Sequence, residues 1–170
     1  MTQELVDLRQ CILENRYDDA LALVDELEEM SKQSILRNIE SFLIRLLVHL
    51  IKNQIEQRLT NSWAASISDS ILRIQKLNLK ANKASYYVNI DEWFPLLEEA
   101  VEAAIAPASV EVFDGRLNAI QLSRKVERNS VIAVAQSLLE LTYRYSAKEL
   151  PTIIVARLAE LPGGQEWYQD

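Results

Sequence analysis

The chain has 170 residues, 49% hydrophobic and 25% charged, with a net charge of −7 and a pI near 4.9. That length sets one domain as the expectation, and the apolar fraction is enough for a core. Three Gly and four Pro are too few for an all-β chain of many tight turns. The acidity disfavours nucleic acid and anionic membranes, and a lone Cys11 excludes an internal disulfide or a cysteine-based zinc site.

Residues 3–14 read as a first helix, with Thr2 as its cap and Leu5, Leu8 and Ile12 facing inward. Residues 15–17 end it. Asp18 or Asp19 caps a second helix, on which Ala20, Leu23, Val24, Leu27 and Met30 share a face. The polar stretch 31–34 reads as either a kink or a short turn. Residues 35–55 follow, the longest run with helical apolar spacing. Their apolar side chains cover an arc of roughly 240°, which makes this the central helix, at about 33–58. The remaining stripe is Asn38, Ser41, Arg45, His49, Lys52 and Glu56. A membrane span needs about 20 apolar residues, and Arg45, His49 and Lys52 interrupt this run. Glu40 breaks the pattern, falling on the apolar side in line with Leu47 and Ile51.

Thr60 or Asn61 caps the next helix, whose stripe is Trp63, Ile67, Ser70, Ile71, Ile74 and Leu77. Residues 78–90 lack a period and read as a loop or a short helical turn. A helix over 91–106 has Pro95 in its first turn and stops at Pro107. Residues 109–114 are a connector, where Val110 and Val112 flank Glu111 as a short extended piece permits. A weakly patterned helix spans 115–128, and Ser130 caps a stronger one through Tyr145. Ser146 and Glu149 match a capping box for the last helix, which runs to Leu161 with Pro151 delaying its start. Pro162-Gly163-Gly164 stops it and leaves a tail over 162–170. The expected fold is all-α: one domain, a single bundle of six to eight helices around the central one. Its core covers about 17–106, with a helical extension at about 110–161.

The stripe of Arg45, His49, Lys52 and Glu56 has the residue types of an anion-binding or acid–base edge, although a solvated helix face is the more ordinary reading. Glu40 on an apolar arc needs a partner, Arg37 or Arg73, or a raised pKa that would suit a catalytic base. Glu40, His49 and Arg73 are thus the catalytic candidates. No HExxH, second His, Gly-x-Ser-x-Gly or phosphate loop is present, so neither metal nor cofactor is expected. Arg73, Lys76, Lys80 and Lys83 beside Tyr86 and Tyr87 are of a kind to grip single-stranded nucleic acid, a patch that Arg124, Lys125 and Arg128 could extend. The acidic segment 91–114 balances them, and nucleic acid is not the expected partner. Trp167 and Tyr168 in the tail are binding candidates, with Arg45 and Lys52. The favoured function is a non-catalytic module for protein–protein interaction or self-association, acidic and suited to a basic partner. The alternative is an enzyme or ligand-binding domain near Glu40, His49 and Arg73. No signal peptide is visible at the amino terminus, and a cytoplasmic location is expected.

Several short blocks recur in a known order. They are Asp25-Glu26-Leu27-Glu28-Glu29-Met30, Ile39-Glu40-Ser41, Leu46-Leu47-Val48-His49-Leu50-Ile51-Lys52, Ser62-Trp63, Ile67 and Arg73-Ile74. Over about residues 17–77 the chain resembles a bacterial family, frequent in cyanobacteria, called domain of unknown function 29. The resemblance implies an all-helical fold and no established activity. It gives no match beyond Ile105. A Trp often follows the His-Leu-Leu-Lys block in relatives, and Asn53 stands there in this chain.

Overall fold

The computed structural model describes residues 3–169. Regular structure there is helical, with eight α-helices and one 3₁₀ turn, as an all-α bundle requires. The Thr2 cap lies outside the described residues. Helix α1 (Gln3–Leu13) ends at Asn15, which takes the left-handed conformation (φ 60°) that Asn tolerates better than most side chains. Arg16 N donates to Cys11 O (2.8 Å) and Asn15 N to Ile12 O (3.2 Å), which is a Schellman turn. Helix α2 (Tyr17–Glu56) then begins ahead of Asp18 and Asp19, which occupy its first turn, where the positive end of the helix dipole favours carboxylates. Residues 31–34 neither kink nor turn. With no Gly or Pro among them, the cost of Ser in a helix is only about 0.5 kcal/mol per residue.

The chain divides within α2 into two compact units, Met1–Arg37 and Asn38–Asp170. The first is a helical hairpin, in which Cys11 and Ala20 are the buried apolar residues among those described. Leu5 and Ile12, expected inside, are exposed, as are Val24 and Met30. A second face of the same hairpin would have to be covered to bury them, and two helices cover only one face of each other.

The second unit holds the large core. From α2, Leu46, Leu47 and Ile51 are fully buried. Helix α3 (Asn61–Asn78) opens with Trp63 N donating to Thr60 Oγ1 at 3.1 Å, the cap expected from the sequence. Helix α4 (Trp93–Glu111) does not stop at Pro107 but carries it inside. Pro107 and Ala103 are both exposed, so the carbonyl that lost its N–H donor lies on the solvent side, while Ala108 and Val112 are buried and hold the next turn down. Of the extended piece expected at 110–112, Val110 and Glu111 are helical and only Val112 is extended (φ −60°, ψ 128°); Val110 is exposed and Val112 buried. A 3₁₀ turn (Val112–Gly115) follows, with Phe113, Asp114 and Gly115 all at positive φ (48°, 55° and 78°).

Helix α5 (Ala119–Lys125) starts from a capping box of Asn118 and Gln121, shorter than the helix expected over 115–128. Helix α6 (Arg128–Arg144) begins two residues before Ser130, which lies inside it rather than capping it. Ser146 and Glu149 exchange their side-chain bonds (3.1 and 3.3 Å) ahead of α7 (Leu150–Leu158). The expected tail is helical in part, as α8 (Gly164–Gln169). Two glycines seat it. A Cβ on Gly163 would lie 2.6 Å from Arg58 Cα, and one on Gly164 2.3 Å from Leu158 O. No described helix is long and apolar enough to cross a membrane.

Candidate functional site

The polar stripe of α2 is exposed at Asn38, Ser41 and Arg45, as a solvated face would be, and becomes a seam between helices from His49 to Glu56. Arg45 Nη1 reaches Asp69 Oδ2 on α3 at 2.7 Å, and its Nη2 lies 3.4 Å from Ser66 Oγ. Arg73 pairs with the same carboxylate at 3.1 Å, so it serves Asp69 and not Glu40. Partial burial works against ionisation of Asp69, but the bonds from Arg45 and Arg73 outweigh it and hold the carboxyl below its usual range. One turn along α2, His49 is half-buried, with Nδ1 2.9 Å from Arg45 O. A carbonyl only accepts, so Nδ1 carries the proton and Nε2 is left as the acceptor. Burial lowers the His49 pKa, and Lys52 and Arg45 lower it further; the Arg45 carbonyl bond and Glu111 work the other way.

Lys52 was expected on a wet edge, yet it is buried (5% exposed). Its ammonium pairs with Glu111 on α4 (3.3 Å) and stands 4.6 Å from the centre of the Trp63 ring. The Arg58 guanidinium also lies on that ring, at 4.5 Å. Glu56 takes Arg58 Nε at 3.0 Å and the backbone N–H of Phe113 at 3.3 Å. Glu40 is exposed, against the sequence reading. An apolar arc on a helical wheel becomes a buried face only where another helix lies opposite, and Glu40 sits near the start of the arc, where none covers it. Among the described residues, Glu40, His49 and Arg73 share no hydrogen bond, and no group of three metal-ligating side chains occurs. Among them too, every buried side-chain nitrogen and oxygen has a partner. What the seam does chemically is join α2 to α3 and α4.

Trp167 is half-buried on α8 and borders a cavity of about 500 Å³ with Arg58, Leu59, Asn61, Gly163 and Glu166. Tyr168, next to it, is exposed. The hairpin unit carries larger apolar exposure. Tyr17, Leu21 and Val24 stand at four- and three-residue steps on one face of α2 and are 59%, 63% and 43% exposed. Leu5 with Ile12, and Val6 with Leu13, repeat the pattern on α1 at seven-residue spacing. Nine acidic and four basic residues fall in this unit, which thus holds five of the seven net negative charges.

A family model described as Domain of unknown function DUF29 matches residues 6–113. The chain belongs to this family. No curated protein and no solved structure matches it. The DUF29 region extends past the resemblance read from the sequence at both ends, taking in α1 from Val6 on and the whole of α4. Inside it, Asn53 stands where relatives often have Trp, and it is a structural residue. Its Nδ2 donates to Arg58 O (3.0 Å) and Pro162 O (2.8 Å), pinning the link that leaves α2 and the turn that precedes α8.

An open cleft of about 1000 Å³ joins the DUF29 region to the helices beyond it. One wall is the end of α3, a second is the loop 79–87, and the third is the end of α6. Sequence reasoning singled out the loop but not the wall it faces, because α6 lies more than fifty residues away. Tyr143 on α6 is the anchor. Its hydroxyl donates to Val88 O (2.5 Å) and accepts from Trp93 Nε1 (2.8 Å) and Asn78 Nδ2 (3.0 Å). Burial pushes the Tyr143 phenol up to about 12, so it stays a donor at any ordinary pH.

Proposed function

We propose that this DUF29 protein is a non-catalytic interaction module whose acidic hairpin docks a basic amphipathic helix of a protein partner. The observation that carries the reading is the exposed stripe of Tyr17, Leu21 and Val24 on a unit of net charge −5. Exposed apolar side chains at helical spacing suit the helix-in-groove mode of recognition, and surrounding carboxylates select for Lys and Arg on the incoming helix. A second copy fits less well, since two units of net charge −5 repel within a Debye length of about 10 Å. Against the enzyme reading stand the exposure of Glu40 and the closure of Arg73 on Asp69. The buried free thiol of Cys11 suits a reducing compartment, such as the cytoplasm.

The test uses the full chain and a labelled synthetic peptide of about 18 residues, with Leu at helical spacing and Lys elsewhere. Fluorescence anisotropy is expected to show binding of this peptide and not of its Glu-for-Lys counterpart. Leu21→Ser with Val24→Ser is expected to weaken binding about tenfold or more, a loss of about 1.4 kcal/mol. Equal binding by that variant overturns the reading. So does a dimer in light scattering that the same substitutions dissolve, which would assign the face to self-association.

A further inference from the structure

We propose that the cleft between the ends of α3 and α6 and the loop 79–87 binds a small amphipathic anion: a flat apolar body bearing a carboxylate, sulfonate or phosphate group. The inference rests on the second unit alone and is independent of the hairpin. Its first support is charge. Lys76, Lys80, Lys83 and Arg144 line the cleft and no Asp or Glu does, in a chain of net charge −7. All four are exposed, and among the described residues none of them is in an ion pair. Lys76 and Arg144 lie in the last turns of α3 and α6, where cations ordinarily offset the helix dipole. Two helix ends at about −0.5 each cancel roughly one of the four charges and leave about three for a ligand.

The second support is shape. The solvent-facing lining is mostly apolar, and the volume is at the upper end of the range for small-molecule sites, about 300–1,000 Å³. Tyr86 packs edge-on against Tyr143, with ring centroids 4.7 Å apart, and Tyr145 adds a third phenol to the lining. Such rings accept a flat body, with the cations placed for its charged group.

The third support is that the walls are already built. Lys80 N donates to Ser85 O and Tyr87 N to Asn78 O (2.9 Å each), which closes the loop on itself and on α3. Asn78 also exchanges both side-chain bonds with the backbone of Val88 (2.7 and 2.9 Å). Gln75 Nε2 ties α3 to the end of α6 through Thr142 O (3.0 Å) and Tyr145 O (2.9 Å), so those carbonyls do not repel an anion unmet. Binding would not have to order the loop first. A polymer would need the cations to continue as a track, and the acidity of the rest of the chain opposes one.

The probe is 8-anilinonaphthalene-1-sulfonate, with N-phenyl-1-naphthylamine as the same body without the charge. Both are titrated into the ¹⁵N-labelled full chain and followed amide by amide, which separates this cleft from the apolar hairpin. The sulfonate is expected to shift amides in 76–87 and 142–147, and the neutral amine to shift them much less. Lys80→Glu with Lys83→Glu, both on an exposed loop, is expected to weaken this binding about tenfold or more, while Lys83→Arg retains it. Absence of shifts in those segments, equal shifts from both probes, or unchanged binding by the charge-reversed variant overturns the proposal. An oligothymidine that shifts the same amides at lower concentration than the dye also overturns it, in favour of single-stranded nucleic acid.

Discussion

Asn53 is nearly out of water (3% exposed), and its amide holds two carbonyls that no helix serves, those of Arg58 and Pro162. Asn53→Leu keeps the volume and removes the donor, leaving both acceptors short of a partner. The expected loss is about 2–3 kcal/mol, read as a lower urea midpoint at unchanged m. An unchanged midpoint would mean that water replaces the amide at no cost. His49 sets a pH dependence of known sign. Its folded pKa lies below the ordinary 6.5, chiefly through burial, so the unfolded chain takes up the proton first. Stability is therefore whole above pH 6.5 and falls as pH drops from there towards the folded pKa, by at most about 1.4 kcal/mol per pH unit. His49→Gln is expected to flatten urea midpoints over that window, and a slope that survives the substitution belongs to other groups. Neither role was legible in the sequence. Asn53 sits in an apolar run with nothing to show that two distant carbonyls meet it, and His49 has the spacing of a wet stripe whether or not α3 and α4 lie beside it.

The course of α4 beyond Pro107 shows an element set by packing over local preference. A proline inside a helix costs about 3 kcal/mol, and the burial of Ala108 and Val112 offsets it. Pro107→Ala restores an N–H to the exposed carbonyl of Ala103 but frees the unfolded chain, which returns about 1 kcal/mol. The net expectation is a gain of about 2 kcal/mol and a higher melting temperature. A loss would show that the ring itself is needed, for instance to aim the left-handed turn at 113–115. Where a boundary is fixed by side chains next to it, the sequence was sufficient: Thr60 caps α3, and Ser146 with Glu149 precedes α7. Where it is fixed by distant contact, it was not. The unbroken α2 through 31–34, the turn at 113–115 and the helix in the expected tail all depend on neighbours the local pattern does not contain.

At the scale of the molecule, burial is uneven along one continuous helix. The wheel gives Val24 and Met30 the same standing as Leu47 and Ile51, yet the first pair is exposed and the second has no exposure at all. Periodicity tells which face is apolar and not whether anything covers it, which is why fold class was legible and the candidate interaction face was not. The energetic consequence is measurable. Each buried leucine-sized side chain contributes about 1.5–3 kcal/mol, and among the described residues of the hairpin unit only Cys11 and Ala20 are buried, where the second unit has a large core. Native-state hydrogen exchange is therefore expected to show amides of α1 and of residues 17–37 opening locally, with protection about a hundredfold or more below that of residues 43–51 and 97–105. Adding the basic amphipathic peptide should raise protection in the hairpin alone, since binding the folded form suppresses its opening. Uniform exchange across both units would mean that the hairpin opens only when the whole chain unfolds. Its exposed apolar stripe would then be no mark of an element whose stability awaits a partner.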